Sequence, residues 1–94
     1  MHAVLVEVDT SGQSSPEEGL RFLREEIVPN VSKQPGFQAG YWLRPLENQQ
    51  GTAVVLFDTH EHAEAASENL QVGAAAGPGV TVIRKELREV AASA

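Results

Sequence analysis

The chain has 94 residues, a formal net charge of −6 and no cysteine. It is long enough for one domain and too short for two, and it excludes disulfides, iron–sulfur clusters and thiol catalysis. An acidic chain without a basic stripe argues against nucleic acid and anionic membranes as partners.

His2 to Asp9, HAVLVEVD, is rich in β-branched residues and reads as a first strand. Val4, Val6 and Val8 alternate with Ala3, Leu5, Glu7 and Asp9, so both faces carry apolar residues, as in a covered central strand. A polar loop around Gly12 follows. Ser15-Pro16-Glu17-Glu18 then marks a helix start: Ser15 can cap, Pro16 suits the first turn and Glu18 completes a capping box. Leu20, Leu23, Ile27 and Val31 form one apolar stripe. Pro29 removes a hydrogen bond within that pattern and is expected to kink or end the regular helix near Val28, with a further short turn to about Lys33.

Pro35-Gly36 stops the helix. Phe37 to Arg44, FQAGYWLR, is a second strand. Strict alternation places Phe37, Ala39, Tyr41 and Leu43 toward the helices, and Gln38, Gly40, Trp42 and Arg44 on the opposite face. After a polar hairpin loop, Thr52 to Phe57 is a third strand, apolar on both faces. Asp58 or Thr59 caps a second helix whose narrow stripe is Ala63, Ala66 and Leu70. Gly73 to Gly79 reads as a linker, Val80 to Val90 as a fourth strand and Ala91 to Ala94 as a loose tail.

The expected fold is a single α+β domain over residues 1–94, ferredoxin-like with the order β-α-β-β-α-β. Its four-stranded antiparallel sheet would run fourth, first, third, second, with both helices on one face. A domain of this size buries roughly 60–65% of its extended surface. With no disulfide available, pairing of two copies is the natural remedy. The outer sheet face, with Val54, Leu56 and Trp42, would be on the order of 400 Å², comparable to the largest apolar patches on monomers. A two-fold homodimer packed sheet to sheet follows.

With that order established, the chain resembles the dimeric α/β-barrel superfamily, and within it the antibiotic-biosynthesis-monooxygenase-like group. The resemblance spans nearly the whole chain. It is carried by Ile27 to Arg44, IVPNVSKQPGFQAGYWLR, where a helix ends through Pro29, turns at Pro35-Gly36-Phe37 and enters an aromatic-rich strand. Leu56 to Ala66, LFDTHEHAEAA, is a second echo. The resemblance implies a dimeric barrel and either cofactor-independent monooxygenation of aromatic compounds, haem degradation, isomerisation or binding alone. Haem-degrading members carry an asparagine in the first strand, a tryptophan near the start of the second helix and a histidine on that helix. Here the first strand has no asparagine, the strand-to-helix junction is Phe57-Asp58, and the histidine position falls near Ser67. No haem, flavin or metal cofactor is therefore expected.

Tyr41, Trp42, Arg44 and Phe57 are the ligand-binding candidates, and no catalytic residue is assigned. A tryptophan beside an arginine can stack on and neutralise an anionic aromatic compound. The competing assignment, given precedence, puts Tyr41 in the core and Trp42 with Arg44 at the dimer interface. His60 and His62, two apart on a helix, point about 200° from one another and cannot share a metal. Glu7, Asp9, Arg84 and Glu86 fall on adjacent strands, where an interstrand salt bridge is the simplest outcome. The Gly73–Gly79 segment lacks a lysine and follows a helix, so it is no phosphate loop. No segment approaches the ~20 apolar residues of a membrane span, and the N-terminus lacks a signal peptide's basic region. A cytoplasmic domain binding an apolar or aromatic metabolite is expected, with a non-catalytic dimeric module as the alternative.

Overall fold

The computed structural model describes residues 1–94. The elements are β1 (His2–Asp9), α1 (Pro16–Phe22), a π-helical turn (Leu23–Ile27), α2 (Val28–Ser32), β2 (Phe37–Leu43), β3 (Gln50–Phe57), α3 (His60–Glu68), β4 (Ala75–Gly77) and β5 (Val80–Glu89). They form an α+β fold around one antiparallel sheet in the order β2-β3-β1-β5-β4, consistent with a ferredoxin-like class. The two central strands of the expected sheet, β1 and β3, pair without interruption from His2↔Phe57 to Asp9↔Gln50.

The sheet has five strands, not four. The fifth is β4, inside the Gly/Ala/Pro stretch read as a linker. It pairs with β5 through Ala75↔Thr81 and Gly77↔Val80. Alanine and glycine have little strand preference of their own, and tertiary contact imposes the pairing. Gly79 has φ +72°, and a Cβ there would lie 2.2 Å from the Gly12 carbonyl oxygen. The turn after β4 and the loop after β1 therefore meet backbone to backbone, which only glycine permits.

The helix starts follow the sequence. Ser15 Oγ accepts from the Glu18 N–H at 3.0 Å, and the Ser14 hydroxyl donates to Glu18 at 2.9 Å. Thr59, not Asp58, caps α3 by accepting from the His62 N–H at 3.1 Å. The regular α-helix is interrupted just before Pro29, as the sequence leads one to expect. It widens one turn earlier, and the Val28 N–H donates to Leu23 O, five residues back. Proline offers no N–H to Glu25 O, and its ring crowds that carbonyl. The wider turn removes the conflict, and α2 resumes with Pro29 in its first turn, where no N–H is required.

The core is lopsided. Val4, Val6, Val55, Phe57, Ala63 and Val82 form its buried cluster. Ala63, fully buried, lets α3 sit close to the sheet. By contrast, no residue of α1, the π-helical turn or α2 is buried. That helical segment meets the core cluster through Val31 of α2.

Candidate functional site

Two irregular registers decide which side chains face the helices. In β2, Phe37 pairs with Phe57 but Ala39 pairs with Leu56, so Gln38 is an extra, bulged residue. A bulge inverts the alternation beyond it. Phe37 thus stays with the core, whereas Trp42 pairs with Ala53 on the helix-facing side and Tyr41 pairs with Val54 on the outer side. The alternation argument had these two aromatics the other way round. Trp42 packs against the core cluster, and its indole lies over Gly40, where a Cβ would come within 2.6 Å of the ring. Tyr41 is 60% exposed. The expected interface role of Trp42 is therefore corrected: it is an inward-facing residue.

Between this face and the helices lies a cavity of about 470 Å³. Its floor includes Val4, Val6, Ala53, Val55, Phe57 and Trp42. Its roof is the stripe Leu20, Leu23, Ile27 and Val31, all four of which line it despite the change in helix pitch. Ala66 and Leu70 of α3 form a side wall. The stripe is thus apolar without being buried in a core. Ligand pockets are typically concave, mostly apolar and of roughly 300–1,000 Å³, and this one falls within that range.

The buried lining residues Val4, Val55 and Phe57 lie toward one end of the sheet; exposed Leu43, Arg44, Asn48 and Gln49 lie toward the other. The second end is where β1 and β2 finish and β3 begins. Two hydrogen bonds hold it together: the Thr10 N–H donates to Gln49 O at 2.7 Å, and the Thr10 hydroxyl donates to the same oxygen at 2.9 Å. Of the four candidates, Trp42, Arg44 and Phe57 share the cavity, and Tyr41 lies on the opposite face. Gln13, Gln34, Asn48, Gln49 and Asn69 also line it. Isolated amides in loops give no pattern by which sequence reading could have found them.

Other clusters have local roles. The His62 ring donates to Asp58 from 2.6 Å, and this bond holds the Asp58 carboxyl below the usual range, against a smaller effect of burial. Both lie over Gly36, whose φ of +80° makes the turn between α2 and β2. His60 sits 3.7 Å from Glu64. Its ring meets the His2 ring edge to face, the centroids 5.5 Å apart, a contact the sequence did not suggest. No group of three or more His, Cys, Asp or Glu side chains gathers as a metal would require. On the outer face, Arg84 stands opposite Glu7, but the expected interstrand salt bridge does not form; Arg84 instead donates to Glu86 of its own strand at 2.9 Å. That contact raises the Arg84 pKa and lowers that of Glu86. No helix is long and apolar enough to cross a membrane. Neither the known protein families nor the curated proteins match the chain.

Proposed function

We propose that the chain is a small-molecule-binding domain for an apolar or aromatic metabolite, held between the sheet and the α1–α2 segment. The cavity supports this reading: a 94-residue chain short of core leaves about 470 Å³ of largely aliphatic space open beneath a helix. Filling that space with the helix's own side chains would stabilise the fold, so leaving it open suits a ligand. The resemblance to monooxygenase-like dimeric barrels points the same way. The lining favours binding over proton-transfer chemistry, because it contains no Asp, Glu, His, Lys, Tyr or Cys to act as a general acid or base.

The homodimer belongs to the same proposal. The outer face of β2, β3 and β1 presents Tyr41, 60% exposed, beside half-buried Leu5, Val54 and Leu56.

The binding reading is tested with N-phenyl-1-naphthylamine, an uncharged probe that brightens in apolar surroundings. Trp42 is the single tryptophan and lies in the cavity wall, so a bound probe should quench its emission by energy transfer. Ala66→Phe, which pushes a ring into the cavity from α3, should abolish the signal while the variant still unfolds cooperatively. Absence of saturable binding to the wild type would overturn the proposal.

A further inference from the structure

We infer that the cavity takes a monoanionic ligand, an apolar body ending in one carboxylate, with Arg44 as its counter-charge. The inference rests on the binding reading above and adds the charge of the ligand and the end at which it sits.

Only one of the 29 residues lining the cavity is charged, and it is Arg44. In a chain with 13 acidic residues and seven basic ones, no acidic side chain reaches the lining. Arg44 makes no ion pair and no side-chain hydrogen bond within the chain, unlike its counterparts on β5. There, Arg84 and Arg88 both bond to Glu86, and Lys85 donates to Ser67 O at 2.8 Å. The nearest acid in sequence, Glu47, is exposed three residues along and forms no pair with it. Arg44 follows directly on the end of β2 and lines the cavity with Trp42, at its exposed end. An apolar ligand lying along the sheet beneath the helix would therefore meet a cation at that end, where Asn48 and Gln49 also line the cavity.

A single planar guanidinium suits a single carboxylate, which it can hold by two parallel hydrogen bonds. A phosphate dianion would call for more cations or a cluster of backbone N–H groups. The protein's overall charge of −6 opposes anions at long range. At physiological salt that field is screened beyond about 8 Å, so the local cation decides. Because Arg44 is exposed, the preference it confers is about two- to fivefold and not several thousandfold.

The test compares 2-naphthoate with its uncharged isostere 2-naphthamide by titration calorimetry. The wild type should bind the carboxylate about two- to fivefold more tightly, and raising the salt should narrow that gap. Arg44→Gln should bind both alike, Arg44→Lys should keep part of the preference, and Glu47→Gln should leave it in place. N-phenyl-1-naphthylamine should bind wild type and Arg44→Gln equally, which shows that the cavity is intact in the variant. Equal affinity of the wild type for both naphthyl compounds, or a carboxylate preference that survives Arg44→Gln, overturns the inference while the neutral probe still binds. Failure of all three compounds to bind removes the binding reading itself.

Discussion

Gly40 and Trp42 show how one missing Cβ shapes the cavity wall. The indole occupies the space a side chain at position 40 would need, with Phe37 3.4 Å from the same point. Gly40→Ala would ordinarily favour a strand, yet here it must displace the ring. The expected result is a loss of about 1–2 kcal/mol by overpacking and a red shift of the Trp42 emission as the indole moves toward water. Unchanged emission and thermal midpoint would show that the ring does not lie over Gly40. The facing of Val4, Val6, Val8 and Val55 was legible because β1 and β3 pair with no slip. Tyr41 and Trp42 were misread because the extra residue at Gln38 has no signature of its own. Bulges commonly announce themselves by glycine, and here the bulged residue is an ordinary glutamine. Arg44 and Phe57 were recognisable as candidates from residue type alone; Trp42 joins them in the cavity because of that bulge.

At the scale of elements, Pro29 was legible as a disturbance but not as a π-helical turn. A widened turn resolves the conflict with the Glu25 carbonyl as well as a kink would, and the sequence alone does not distinguish them. The widened turn keeps Leu23, Ile27 and Val31 all on the cavity, and π-helical turns inside helices often mark functional sites. Pro29→Ala restores the missing donor and removes the crowding ring. It should let the segment revert to a regular α-helix, with a gain in stability of about 1 kcal/mol. The altered pitch would rotate part of the leucine stripe, so the neutral probe should bind more weakly in the more stable protein. Stabilisation with unaltered binding would separate the π-helical turn from the site. The β4 strand was illegible for a different reason: its three residues have no strand pattern, and its position follows from the Gly12–Gly79 approach and the packing of Phe22 against Gly77. A strand this short, followed by Pro78, also leaves little edge for unwanted pairing.

At the scale of the molecule, the sheet has two unlike faces. The inner face holds the small core and the cavity. The outer face is divided: toward β2 and β3 it is apolar, with Ala39, Tyr41, Val54 and Leu56, and toward β5 it carries Glu7 beside Arg84 and Arg88, both paired with Glu86. Only nine of 94 residues are buried in the single chain, so covering the apolar half would add much to a thin core. The charged half, with opposite signs close together, could oppose itself across a two-fold axis without net repulsion. The inverted alternation also changes which residue should anchor the contact. With Trp42 facing inward, Tyr41 becomes the central aromatic of the outer face. Tyr41→Asp should therefore shift the protein to a monomer at micromolar concentration by light scattering, a loss of about 2 kcal/mol or more if Tyr41 is the anchor. Trp42→Ala should leave the mass at that of a dimer while lowering thermal stability and abolishing the tryptophan signal. The two substitutions thus separate assembly from the cavity. A wild-type protein that is monomeric in the same measurement would remove the dimer, and the cavity would stand as the site of a single chain.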